Sequence, residues 1–134
     1  MARRLILDTS ILIAAERSEV ELDQVIEDDD DVVIAAVTAA ELLTGVELAV
    51  GAHRDRRSKR VQSFFEVVPV EPYDLVVAEQ HAALLAHVRR SGVARGAHDL
   101  IIAATAKSAG RIILSSDCAA RFSDLPGVTA IIVN

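Results

Sequence analysis

Two hydrophobic periods alternate along this chain, one of strands and one of helices. Leu5-Ile6-Leu7 is a short apolar run behind Arg3 and Arg4 that ends at Asp8, and it reads as a strand buried on both faces. Thr9 to Arg17 carries apolar residues at helical spacing, and Val20 to Glu27 predicts a second short helix. The acidic run Glu27 to Asp31 reads as a solvated turn, and Asp31 to Val37 as the second strand. Thr38 to Val50 returns to helical spacing, with Thr38-Ala39-Ala40-Glu41 matching a capping box. A basic segment, His53 to Arg60, leads into Val61 to Phe65 on one further helix. Val67 to Val70 predicts a third strand, placed at a sheet edge by Pro69. Tyr73 to Ser91 is the longest helical pattern, closed by Gly92. Ala97 to Ala109 is a largely apolar helix with Gly110 at its C-cap. Arg111 to Leu114 predicts a strand, Ser116 to Phe122 a short helix, and Thr129 to Val133 a last strand after the Pro126-Gly127 turn.

Strands alternating with helices imply an α/β fold with a parallel sheet covered on both sides. No repeat, low-complexity tract or linker interrupts the 134 residues, which predicts a single domain over residues 1–134. Hydrophobic residues make up 51% of the chain, enough for a core and too many for disorder. The formal net charge of −6 repels nucleic acid as a whole, so a polyanionic substrate needs a local basic patch or bound cations. The lone Cys118 excludes an intrachain disulfide and fits a reducing cytoplasm. Arg3 and Arg4 before an apolar run imitate a signal peptide, but Asp8 breaks that run. The longest apolar stretch falls far short of the roughly 20 residues that span a bilayer. A soluble cytoplasmic protein with no membrane segment is expected.

Four acids stand out against this framework. Asp8 follows the first strand, Glu41 starts the helix after the second, and Asp117 starts the helix after the fourth. In an open parallel sheet these places face the crevice at the carboxyl ends of the strands. Asp99 lies near the start of its own helix, and with two helices between the third and fourth strands, alternation alone does not place it. Each acid has a local explanation as a helix cap or a dipole partner. Together they repel one another unless a cation sits among them. Oxygen ligands without a His/Cys cluster suit Mg²⁺ or Mn²⁺, ions that orient water and neutralise a phosphodiester.

At this point the sequence resembles a known family. Leu5 to Ser10, Ala39 to Gly45, His98 to Ala104, and Leu114 to Asp117 with Phe122 resemble, in order, the four acidic motifs of PIN domains. The short chain looks like the VapC toxins of VapBC toxin–antitoxin systems. The resemblance implies a three-layer α/β/α fold with a five-stranded parallel sheet, and Mg²⁺ or Mn²⁺ held by Asp8, Glu41, Asp99 and Asp117. It implies an endoribonuclease that hydrolyses RNA phosphodiester bonds with a metal-activated water. It further implies a cognate VapB-type antitoxin as partner, a homodimer, and DNA met only through the antitoxin. Thr9, Ser115 and Ser116 are candidate supporting residues, the serines standing where a threonine is expected near the acid.

The basic segment supplies Arg54, Arg56, Arg57, Lys59 and Arg60 as candidate RNA contacts, with Arg89, Arg90 and Arg95 flanking the approach to Asp99. A solvated helix face is the alternative for each. Aromatic residues number four (Phe64, Phe65, Tyr73 and Phe122), too few for a base-stacking platform. The acidic run from Glu27 to Asp31 reads as a turn, not a second metal site. Leu12, Leu42, Leu43 and Val46 could form a groove for the antitoxin, with core packing as the competing use. Three other function classes lack their marks: no second acid at Ser10 for an aspartyl-phosphate hydrolase, no lysine after the last strand for a phosphoacceptor signalling domain, no Gly-rich Gly-Lys-Ser/Thr loop for a P-loop nucleotide binder. A PIN nuclease of RNA maturation without an antitoxin, and a non-catalytic PIN-like binding module, remain the alternatives.

Overall fold

The computed structural model describes residues 2–133; Met1 and Asn134 of the expected 1–134 domain lie outside the described residues. Strands β1 (Arg4–Leu7), β2 (Asp31–Ala35), β3 (Val70–Glu71), β4 (Ile112–Ser115) and β5 (Ala130–Ile132) form one sheet of order β3-β2-β1-β4-β5. Every pairing is parallel, with Leu7 opposite Ile34 on one side and Leu114 on the other. The expected five-stranded parallel sheet is present, and β3 is an edge strand as expected. It spans Val70–Glu71 and not Val67–Val70, because the preceding helix runs on to Val67 and Pro69 lies just before the strand.

Alternation along β1 divides the core in two. Ile6, with Val33 and Ile113, faces α5 (Leu75–Ser91) and α6 (Ala97–Ala109). Leu5 and Leu7, with Ile34 and Leu114, face the opposite layer. That layer holds α1 (Thr9–Glu16), α2 (Leu22–Val25), α3 (Ala36–Leu48) and α4 (Gly51–Val67). The strands are therefore apolar on both faces because both faces are covered. Each fully buried Leu or Ile contributes about 1.5–3 kcal/mol of hydrophobic stabilisation. Helix α6 lies close to the sheet because Ala103, Ala104 and Ala106, all buried, let its backbone approach. Gly92 (φ 71°) and Gly110 (φ 64°) end α5 and α6 in the left-handed conformation, where a Cβ is strained.

Two local expectations are corrected. The capping box is absent: α3 begins at Ala36 directly from β2, its N-cap is Ala35 without a side-chain bond, and Thr38 is already inside the helix. Thr38 is fully buried, its hydroxyl 3.3 Å from that of Thr9. The helix expected over Ser116–Phe122 is instead two 3₁₀ turns, Cys118–Ala120 and Phe122–Asp124, separated by Arg121 at φ 51°. A left-handed residue breaks a helix wherever it occurs, so the chain folds back and buries Phe122 completely.

Candidate active site

Strands β2, β1 and β4 are adjacent, so the chain leaves all three at one edge, and β1–β4 is where its direction of travel across the sheet reverses. Asp8 leaves β1 as the N-cap of α1 and is 2% exposed. Its Oδ1 accepts from Ser10 Oγ (2.7 Å) and Ile11 N (3.1 Å), and its Oδ2 accepts from Ser115 Oγ (2.6 Å). Burial raises the Asp8 carboxyl above the ordinary range; these three bonds oppose that shift, and the charge of Asp117 adds to it. Ser115, fully buried, also accepts from the Asp117 amide at 3.0 Å, so one hydroxyl joins the first acid to the fourth.

Asp117 caps the first 3₁₀ turn through Oδ1, which accepts from Ala119 N (3.0 Å) and Ala120 N (3.3 Å). Glu41 sits on the second turn of α3, where Oε1 accepts from Thr9 Oγ1 at 2.9 Å and lies 3.4 Å from His98 Nδ1. Asp99, half-buried in the first turn of α6, is raised chiefly by burial, then by the charges of Asp117, Asp8 and Glu41, with His98 opposing. The structure thus brings Asp99 to the other three, the placement that strand–helix alternation left open. Helix α6 achieves it by packing on α3, β2 and β4 together.

Thr9 and Ser115 support Glu41 and Asp8 directly. Ser116 acts one step removed: its amide (3.2 Å) and hydroxyl (3.3 Å) reach Ser10 Oγ. Ser10 itself was overlooked in the sequence, although Asp8-Thr9-Ser10 carries a hydroxyl two residues after the acid. Gly96 was overlooked as well; a Cβ there would stand 2.9 Å from Asp99 Oδ2, so the carboxylate folds over a glycine.

The donor set is all oxygen and mutually repulsive, which fits a hard divalent cation. Among the described residues, no three of the four edge acids have oxygens all within 4.8 Å of one another. Mg²⁺ keeps several waters among its ligands, so a site for it needs only one or two carboxylates in direct contact. Glu27, Asp29 and Asp30 do meet that spacing. Both Asp30 oxygens are already bound by Arg3 (2.6 and 3.0 Å) and the Glu27 amide (2.8 Å), which holds this carboxyl at about 2. That segment is an ion-paired turn.

The raised Asp99 gives a prediction with a definite sign. Its carboxyl binds a proton more tightly folded than unfolded, so its contribution is favourable below the ordinary carboxylate pKa and is lost as pH rises through the raised folded value. Asp99→Asn should therefore be neutral or stabilising in metal-free buffer at neutral pH. Solvent still reaching the group limits any gain to at most about 1 kcal/mol, or roughly 3 °C in Tm. A clear fall in Tm by calorimetry would assign Asp99 a structural role.

The basic candidates separate by partner. Arg57 (2.6 Å) and Arg60 (3.5 Å) share Glu16, and Arg54 pairs with Glu47 at 3.2 Å. Among the described residues, Arg56 and Lys59 form no ion pair and are exposed. Arg89 and Arg90 are exposed in the last turn of α5, where cations complement the helix dipole. Arg95 donates to two backbone carbonyls, those of Ala120 and Arg121. If RNA phosphates lie along α4, replacing Arg56 and Lys59 with alanine should flatten the slope of log affinity against log salt by about 1.4–1.8 units. An unchanged slope, measured in Ca²⁺, would leave these two as a solvated face.

Between α1, α3 and α4 opens an apolar groove of about 460 Å³, lined by Leu12, Leu42, Val61 and Phe64 among others. Thr9 and Glu41 belong to its wall, so groove and acidic site are contiguous. Leu12 and Leu42 are there as the helical spacing suggested. Val46 is instead buried, and Leu43 is exposed outside the groove.

Residues 5–127 match the PIN domain. Ribonuclease VapC5 of Mycobacterium tuberculosis is 36% identical over 114 residues, 84% of this chain and 82% of that protein. The VapBC-5 toxin–antitoxin structure from the same organism aligns with a TM-score of 0.79 and 29% identity over 97% of this chain and 98% of that one. The structure of VapBC2 from Rickettsia felis bound to a promoter DNA fragment aligns at a TM-score of 0.86 over 98% and 99% of the two chains, with 16% identity, a likeness of fold. No helix among the described residues is long and apolar enough to cross a membrane. Motif order, sheet topology and these likenesses agree: the chain belongs to the PIN-domain family, alongside the VapC ribonucleases.

Proposed function

We propose that this chain, as one PIN domain, is a Mg²⁺- or Mn²⁺-dependent endoribonuclease, the toxin of a VapBC-type pair acting in the cytoplasm. The observation that carries this reading is the meeting of Asp8, Glu41, Asp99 and Asp117 at one sheet edge, where the charges of the other three all reach Asp99. Asp8, Asp99, Asp117 and Glu41 would hold the cation. When bound, it activates water and neutralises charge developing on the phosphodiester. Ser10 and Ser115 fix both oxygens of Asp8 through hydroxyls that rotate to suit, and Thr9 fixes Glu41, so the carboxylates are oriented before substrate arrives. The exposed Arg56 and Lys59, with Arg89 and Arg90, offer phosphate contacts that position RNA without reading its bases.

The apolar groove beside Glu41 supports a VapB-type antitoxin as partner, since a segment seated there would also cover the acids. DNA would be met only through that antitoxin. The exposed Leu75 and Val76 on α5 leave apolar surface for a second copy, in keeping with a homodimer.

Purified protein should cut RNA with Mg²⁺ or Mn²⁺ and stop on chelation, and cleavage should cease on adding a cognate VapB-type antitoxin. Metal should also raise Tm: at a hundred times its Kd a ligand of the native state adds about 2.7 kcal/mol. Asp99→Asn should lose most of that increment. Cleavage that no antitoxin suppresses would favour a solitary nuclease, and inertness with and without metal a binding module.

A further inference from the structure

Arg95 belongs to neither the sheet nor a helix, yet its side chain bonds two adjacent carbonyls beside the site. From the connection between α5 and α6, its Nη1 donates at 2.7 Å to the Ala120 carbonyl and at 2.7 Å to the Arg121 carbonyl. Those carbonyls close the turn that Asp117 opens, with Asp117 Oδ1 bonded to the amides of Ala119 and Ala120 at its start. The turn ends in Arg121 at φ 51°, a left-handed conformation that is strained for a non-glycine residue and persists only where its surroundings hold it. Two adjacent carbonyls aimed at one guanidinium nitrogen are such a restraint, since charge-assisted bonds are about twice as strong as neutral ones. Directly after Arg95, Gly96 gives Asp99 Oδ2 the room that a Cβ would fill at 2.9 Å. Two neighbouring residues therefore grip Asp117's turn and receive Asp99.

The sheet cannot perform this task. Asp8 and Asp117 follow hydrogen-bonded neighbours β1 and β4, and Asp8 is joined to the Asp117 amide through Ser115. Asp99 is on α6, outside the sheet; packing on α3, β2 and β4 brings that helix to the edge, and Arg95 adds a direct bond from the connection just before it to the Asp117 turn. We propose that Arg95 is a positioning residue that ties the Asp117 turn to the start of the Asp99 helix and sets the gap across which these carboxylates share a cation. The proposal rests on the reading of the site as a divalent-metal centre and removes Arg95 from the RNA-contacting set.

The test compares wild type, Arg95→Ala and Arg95→Lys, with Asp99→Asn as the reference for a lost ligand. In metal-free protein, amide hydrogen exchange at Ala119, Ala120 and Arg121 should accelerate at least tenfold in Arg95→Ala, with the amides of β4 unchanged. Mn²⁺ affinity, by calorimetry, should fall about ten- to a hundredfold, the range seen when a supporting partner of a metal ligand is removed. Saturating Mn²⁺ should recover most of kcat, and KM for RNA should stay within twofold. Arg95→Lys, which keeps a cation able to reach carbonyls, should recover part of both exchange protection and affinity. A raised KM and a flattened salt slope with unchanged Mn²⁺ affinity would overturn the proposal and return Arg95 to the RNA interface. Unchanged exchange in Arg95→Ala would overturn the tether itself. Accelerated exchange in a protein whose wild type binds no Mn²⁺ would uphold the tether while refuting the metal centre.

Discussion

Asp8→Asn and Asp99→Asn should each lower metal-dependent RNA cleavage by at least about a hundredfold and towards a thousandfold, the range for losing one preorganised electrostatic group. Asparagine keeps the volume of aspartate and removes the charge. At position 8 the amide oxygen can still accept from Ser10 and Ile11, while its NH₂ turns to Ser115 Oγ, a hydroxyl that can accept as well as donate. The fold should therefore survive with Tm little changed. At position 99 the repulsion from Asp117, Asp8 and Glu41 disappears with the charge. A rate loss with retained Tm separates a functional acid from a structural one. Wild-type-like cleavage by both variants, in a preparation free of other nucleases, would remove the acids from catalysis.

Phe122→Ala should produce the largest stability loss of any single substitution considered, about 3–5 kcal/mol. Phe122 is the largest fully buried side chain, set among Leu100, Leu84 and Ile113 in the core beneath α5 and α6. Its truncation leaves a void that the sheet and two helices cannot close, because all three are tied elsewhere. That loss is a large share of the usual stability of a domain, about 5–15 kcal/mol. Denaturant melts should show a lower midpoint with an unchanged slope. Phe122→Leu, which refills most of the volume, should recover more than half of the loss. Because Phe122 lies five residues beyond Asp117, its loss should also weaken metal binding. A Phe122→Ala variant as stable as wild type would mean the core is not built around it.

The residues differ in how openly the sequence declared them. Leu5-Ile6-Leu7-Asp8 displayed both strand and acid, since a strand covered on both faces is a continuous apolar run and an acid at its end is conspicuous. Helix α6 was equally plain, spanning Ala97–Ala109 with Gly110 at its C-cap as expected. Thr38 misled because a Thr-x-x-Glu pattern specifies a cap only if the chain turns before it, and here β2 runs straight into α3. The placement of Asp99 was hidden for a different reason. It depends on how α6 packs across the sheet, and no local pattern encodes that. The arginines show the same limit: charge is visible in sequence, but Arg57 finds Glu16 41 residues away and Arg95 finds Ala120 25 residues away. Family resemblance supplied the convergence of the four acids; the structure supplied the hydroxyls of Ser10, Thr9 and Ser115 that orient two of them.

Metal binding among the four carboxylates can be located directly, because Mn²⁺ reports its own position. Crystals soaked in Mn²⁺ should give an anomalous difference peak bounded by Asp8, Asp99 and Asp117, with Glu41 at its margin, and that peak should vanish in Asp99→Asn. A peak at Glu27, Asp29 and Asp30 alone, or none in the presence of saturating Mn²⁺, would contradict it.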